Sequence, residues 1–265
     1  MPNVITAAVP PEATTIHTPT DGLASGWDHI PVTGGSLPVY WARPDAEGLY
    51  PLVLVVQEIF GVHEHIADVC RRLAHLGYLA VAPELFFRRG DAKSIADFQV
   101  LQQQFVAPTP DAQVLADLDN TLSWAGDAGG DVDRAGVTGF CWGGRIAWLY
   151  AAHNPRIKAG VAWYGKLDSE RTPNQPRQPI DIVPDLRVPV LGLYGGNDQS
   201  IPLASIQAMQ RAVTAASRPC DIHVYSDVGH AFNADYRQSF VPEAAENGWH
   251  RMQEWFNRHG AGATP

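Results

Sequence analysis

Three residues of the 265 have the types and chain order that nucleophilic acyl transfer requires: Cys141, then Asp198, then His230. Cys141 lies in Gly139-Phe140-Cys141-Trp142-Gly143-Gly144, with an apolar strand-like run before it and a helical pattern after it. That is the setting of a nucleophile elbow, with Cys where Ser usually stands. A nucleophile on so tight a turn needs neighbours without bulk two residues before and two after, and both are glycine. The turn also sets the thiol at a helix N-terminus, whose dipole favours a thiolate, and aims the Trp142 N–H at a developing oxyanion. A free thiol, with a pKa of ~8.5, is mostly protonated at neutral pH and needs a base. A histidine held by a carboxylate supplies one. Asp198 follows the apolar run 188–194 in Gly195-Gly196-Asn197-Asp198, and His230 follows the run 221–225 in Val228-Gly229-His230-Ala231-Phe232.

Each of the three has a plainer reading: a buried structural cysteine, an Asn-Asp turn, a surface histidine. Order and position select them. Of the 10 histidines, His63, His65 and His75 precede the nucleophile, His153 ends its helix, His223 lies within a strand, and His250 and His259 sit on the last helix. Cys70, on an apolar helix face, and Cys220, at the start of a strand, read as structural. No zinc-type helical histidine pair occurs, and His63 and His65, two apart, share no helix face. We therefore expect no metal and no cofactor.

A row of strand ends must position these groups. Strand-like runs at 37–42, 52–56, 79–82, 135–140, 158–163, 188–194 and 221–225 alternate with helical patterns at 63–76, 95–105, 112–124, 143–153, 203–216 and 242–259. Such alternation implies an α/β fold whose mostly parallel central sheet carries helices on both faces. The run 37–42 reads as an edge strand, and the segment 168–183, rich in Pro, Gln and Arg, as a long loop. Residues 1–27 read as an N-terminal extension and 28–265 as one domain.

The net charge is −9, with no long basic run, which argues against nucleic acid as partner. No apolar stretch reaches the ~20 residues of a membrane helix. Three cysteines do not make a disulfide framework, and the N-terminus shows no basic-then-apolar signal pattern. Cytoplasm is the default expectation, with a small molecule as the partner and a monomer or weak homodimer as the assembly.

The cysteine elbow, the Gly-Gly-Asn-Asp turn and the Gly-His-Ala-Phe segment together resemble the dienelactone hydrolase (carboxymethylenebutenolidase) family of α/β-hydrolases. The likeness runs from about Val32 to about Phe256 and includes Gln57-Glu58-Ile59-Phe60-Gly61 after the run 52–56. The resemblance implies that Glu58 contacts the resting thiol and that the Ile59 N–H forms the second half of the oxyanion hole. It also implies hydrolysis of an enol-lactone bearing a carboxylate, dienelactone, to maleylacetate. In Pro83-Glu84-Leu85-Phe86-Phe87-Arg88 the family's first substrate arginine matches Arg88, with Arg89 as the adjacent competitor. The second would stand at Ala234, where the match fails; Arg237 is the nearby substitute. Phe87, with Trp142, Phe86, Trp163, Tyr164 and Phe232, would line a pocket, although such rings more often form core. The expected reaction is ester or lactone hydrolysis. The rivals are a broad carboxylesterase acting on uncharged esters and a catalytically silent binding module.

Overall fold

The computed structural model describes residues 16–263. Its centre is one eight-stranded sheet in the order β1-β2-β4-β3-β5-β6-β7-β8. The strands are β1 Leu23–Val32, β2 Gly35–Pro44, β3 Tyr50–Val56, β4 Leu79–Pro83, β5 Gly130–Phe140, β6 Ala159–Trp163, β7 Val190–Gly195 and β8 Asp221–Tyr225. β1 and β2 pair antiparallel, as do β2 and β4; every other pairing is parallel. The helices are α1 Glu64–His75, the short α2 Phe98–Leu101, α3 Asp111–Asp127, α4 Trp142–His153, α5 Leu203–Ala215 and α6 Pro242–Arg258. This is the mostly parallel α/β architecture expected from the alternation, and it fits the α/β-hydrolase fold that the resemblance implied.

The central strands β3, β4, β6 and β7 are almost wholly buried, as strands covered on both faces must be. Alternation along β5 shows which helices cover which face. A Cβ on Gly136 would meet Phe256 of α6, whereas one on Gly139 would meet the backbone of Gly143 in α4. Positions 136 and 139 point to opposite faces, so α6 and α4 do as well. α1 joins α6, where Arg72 stacks over Trp249 at 5.9 Å. α3 joins α4 through the buried pair Arg145–Asp111.

Three expectations are corrected. Residues 23–27, assigned to an N-terminal extension, are the first half of β1. Only Ile30 of β1 is buried, so no alternating apolar signal marks it, and a Thr33-Gly34 turn joins it to β2. β2 is consequently not an edge, since β1 covers it. The helix expected over 95–105 is delayed to Phe98, because Asp97 caps the N–H groups of Gln99 and Val100. The loop 168–183 leads into a 3-10 turn, Pro179–Asp185. Of the rest of the expected extension, residues 1–15 lie outside the described residues.

The chain leaves β3 toward β4 on one side and later returns to β5 on the other. This is a topological switch point, where open α/β sheets form their ligand crevices at the carboxyl ends of strands. α4 is held there by Arg145, whose guanidinium forks onto Asp111 at 2.7 and 2.8 Å and also donates to Gln178 at 2.8 Å. Both members of the pair are nearly inaccessible, so removing one strands a buried charge. Asp111→Ala should lower unfolding stability in urea by about 3–5 kcal/mol, and Asp111→Leu combined with Arg145→Met should recover most of that loss.

Candidate active site

Cys141 connects β5 to α4 with φ 54° and ψ −113°, a left-handed conformation that a side chain rarely adopts. The surrounding packing imposes it. A Cβ on Gly139 would lie 2.1 Å from the carbonyl oxygen of Gly143, and one on Gly143 would lie 2.4 Å from those of Val56 and Gln57. The turn is therefore pressed against the end of β3, and the Cys141 N–H is tied to the Trp163 carbonyl at 3.0 Å. The sulfur is left half-buried at the carboxyl ends of the central strands.

His230 Nε2 lies 3.2 Å from Cys141 Sγ, and His230 Nδ1 lies 2.6 Å from Asp198 Oδ2. Asp198 is buried at the end of β7, and its other oxygen accepts from the Ser200 N–H, the Ser200 hydroxyl and the Ile201 N–H. Burial pushes the Asp198 carboxyl up, but the hydrogen bonds and charge of His230, with Ser200, outweigh it and hold the carboxyl below its usual range. For His230, burial works against the charged ring. Interaction with the Cys141 sulfur and the Asp198 carboxylate overcomes that and raises the imidazole from 6.5 to about 10. Burial drives the other two thiols away from reactivity, Cys70 far up and Cys220 to about 11.

Two backbone donors complete the row. Among the described residues, neither the Ile59 N–H, just past β3, nor the Trp142 N–H, at the start of α4, finds an acceptor within the protein. Glu58, beside Ile59, is 1% exposed. Its Oε2 accepts the Tyr236 hydroxyl at 2.6 Å and pairs with His63 Nε2 at 3.2 Å. Burial raises this carboxyl, but His63 and the charge of Arg237 prevail and hold it well below the usual range. Burial pushes His63 below its ordinary value, and against an acceptor-only carboxylate its Nε2 must be the donor.

Residues 37–260 match the model of the dienelactone hydrolase family. The chain belongs to that family. It is 57% identical over 255 residues to a protein of Escherichia coli (strain K12) named "Putative carboxymethylenebutenolidase", covering 96% of this chain and 94% of that one. A Synechocystis protein of the same name is 33% identical over 225 residues, 82% of this chain and 89% of its own. The crystal structure of a "Putative Dienelactone Hydrolase" from Klebsiella pneumoniae superposes with a TM-score of 0.87 at 56% identity, covering 89% of this chain and 99% of that one.

Two expectations drawn from the resemblance need correction. Arg88 is engaged away from Cys141, Asp198 and His230. Its guanidinium forks onto Asp117 of α3 at 2.7 and 2.9 Å and donates to the Thr33 carbonyl, so its donors are engaged between α3 and the β1–β2 turn. Phe87 lies under it, ring to guanidinium 4.3 Å, and packs against Gly35 of the same hairpin. Arg89 donates to the Pro108 carbonyl. The expected Glu58–thiol contact is also absent: the sulfur pairs with His230, and Glu58 is occupied by Tyr236 and His63.

Arg237 stands differently. Its guanidinium lies over the rings of Phe60 and Tyr236, at 5.3 and 5.8 Å, within the electrostatic reach of Glu58 and Cys141. No protein group hydrogen-bonds it among the described residues. Ala234 is fully buried, so a side chain there faces core. Sequence reasoning missed Ser200, His63 and Tyr236. Ser200, two residues after Asp198, bore the one readable signal, since a hydroxyl there closes a local turn onto the carboxylate.

The raised His230 value has a testable sign. A group whose folded pKa exceeds its unfolded value contributes stability in full below the unfolded value, here 6.5, and loses it as pH rises through the folded one, about 10. The gap in thermal midpoint between native protein and His230→Gln should thus be widest below about pH 6.5 and should shrink steadily until it closes as the pH passes about 10. A gap that widened with pH would contradict the assignment.

Proposed function

We propose that this member of the dienelactone hydrolase family cleaves an ester or lactone by acyl transfer through Cys141, His230 and Asp198. The observation that carries the reading is the unbroken hydrogen-bonded row from Asp198 through His230 to the Cys141 sulfur. The sulfur attacks the carbonyl carbon, an S–C bond forms, and the carbonyl π pair moves onto oxygen. The Ile59 and Trp142 N–H groups receive that oxyanion. As the carbonyl re-forms, the C–O bond to the leaving group breaks and His230 Nε2 gives its proton to the departing oxygen, which stays tethered when the substrate is a lactone. His230 then takes a proton from water, whose oxygen attacks the thioester and expels the sulfur. Asp198 holds the imidazole in the required tautomer throughout.

The substrate class is read from Arg237. A charged guanidinium that no side chain or backbone group hydrogen-bonds among the described residues, stacked on two rings beside the proposed nucleophile, suits a substrate carboxylate. Glu58 balances its charge while the site is empty. A carboxylate-bearing enol-lactone of the dienelactone type fits. A second reading, a carboxylesterase for uncharged esters, is favoured by the engagement of Arg88 with Asp117, which leaves a single arginine for the substrate. Cytoplasmic residence and a monomeric or weakly dimeric state remain part of the proposal.

Cys141→Ala should abolish turnover of both lactones and aryl esters in purified protein, and retention of full activity would sink the mechanism. Iodoacetamide should alkylate Cys141 in the native protein well before Cys70 or Cys220; equal reactivity would favour a silent binding module. Arg237→Gln should raise KM for carboxylate-bearing lactones about 10- to 100-fold, the worth of about 1.5–3 kcal/mol of charge-assisted hydrogen bonding, while leaving uncharged aryl esters unaffected. An equal effect on both substrate types would favour the uncharged-ester reading.

A further inference from the structure

The turn that carries the Ile59 N–H is irregular backbone, and its internal ties are few. Gly61 donates to the Glu58 carbonyl at 3.4 Å, and His63 donates to the Gly61 carbonyl at 3.1 Å. Its remaining anchors are side chains. Before the turn, Gln57 Oε1 accepts the Leu85 N–H at 2.9 Å. At its first residue, the Glu58 carboxylate is gripped by Tyr236 and His63. At its far end stands a group the mechanism does not use: Glu84, 8% exposed, whose Oε2 accepts the Val62 N–H at 2.8 Å.

Glu84 is well mounted for bracing. It follows β4 directly, and its own N–H is tied to the Pro38 carbonyl of β2 at 2.8 Å. Lys93 Nζ approaches Oε2 at 3.5 Å, a counter-charge for a carboxyl that burial pushes up. The turn is built around this carboxylate. Gly61 has φ +78°, and a Cβ there would lie 2.7 Å from both Glu84 oxygens. Any side chain at position 61 would collide with the brace as well as strain the backbone.

The geometry points to Glu84 as a positioning residue for the oxyanion hole: its carboxylate fixes the 58–62 turn through the Val62 N–H and so aims the Ile59 N–H at the reacting carbonyl oxygen. Ile59 lies between the Glu58 and Val62 anchors, so freeing the second lets the donor swing while leaving Cys141, His230 and Asp198, on other strand ends, in place. The inference rests on the acyl-transfer reading above.

The test pairs an aryl ester with its thiono analogue, in which C=S replaces C=O and accepts hydrogen bonds poorly. Wild type should favour the oxygen ester strongly. Glu84→Ala should lower kcat on the oxygen ester by roughly 10- to 100-fold, since losing a donor outright costs about 100- to 1000-fold. KM should hold, and the preference for oxygen over sulfur should collapse. Glu84→Gln, which keeps an acceptor oxygen facing Val62, should restore most of the rate and preference. Alkylation of Cys141 by iodoacetamide should proceed at the wild-type rate in every variant. Should Glu84→Ala prove insoluble, Glu84→Asp, with a shorter reach, should show the same loss of preference. The inference is overturned if the preference survives in Glu84→Ala or Glu84→Asp, if Glu84→Gln is as impaired as Glu84→Ala, or if alkylation falls in step with turnover. Wild-type protein inactive on both esters would overturn the acyl-transfer reading and this inference together; active wild type with an unaffected Glu84→Ala overturns this inference alone.

Discussion

The site depends on one strained residue. Cys141 is held at φ 54° and ψ −113°, a conformation that costs roughly 1–3 kcal/mol and persists only where its surroundings leave no alternative. Here the surroundings are backbone on three sides: the Gly143 carbonyl beneath Gly139, the Val56 and Gln57 carbonyls against Gly143, and the Trp163 carbonyl holding the Cys141 N–H. These contacts belong to β3, β5, β6 and α4 at once. A shift in any of these elements would relax the turn and lower the thiol. The burial of α4 from Trp142 through Ala151, with Arg145 forked onto Asp111, keeps the helix from moving.

The same tightness explains the division of labour around the sulfur. Cys141 sits at a fixed point of the sheet, so the groups that must reach it come from neighbouring strand ends: Asp198 after β7, His230 after β8, Ile59 after β3. The Asp198–His230 pair is supported by hydrogen bonds from Ser200 and Ile201, which leave the carboxylate little freedom to turn away. On the β3 side a second ionic group forms around Glu58, with His63, Tyr236 and Arg237. The sulfur thus lies between two electrostatic neighbourhoods, an imidazole held by Asp198 and a carboxylate held by Tyr236 and His63.

What the sequence made legible follows the range of the interactions. Parallel strands buried on both faces leave continuous apolar runs, so β3, β4, β6, β7 and β8 were readable, and their order gave Cys141, Asp198 and His230 a common edge. β1 was not readable, because an edge strand with one buried residue has no apolar alternation to show. Arg88 illustrates a different limit. Its place in a motif suggested a free guanidinium, but Asp117 lies 29 residues away on α3, and nothing local announces that the two meet. Glu58 was expected on the thiol for the same reason: Tyr236, 178 residues distant, takes its oxygen instead. Pairings that close across the fold decide which polar groups remain free, and local patterns do not encode them.

That distinction bears on how this family member can differ from its relatives. The elbow admits little variation, since backbone atoms occupy the space around Gly139 and Gly143. The polar groups above it are not so constrained. Asp235 is anchored to α1 by His65 at 2.8 Å and Arg72 at 2.9 Å, and the next two residues are Tyr236, which holds Glu58, and Arg237, which lies bare over Phe60. The electrostatics above the Cys141 turn therefore depend on a helix on the opposite face of the sheet from α4. Changes along α1 can alter the charge around Glu58 and Arg237 without touching the turn that holds Cys141, so on the acyl-transfer proposal substrate preference can drift in this fold while the geometry around the sulfur stays fixed.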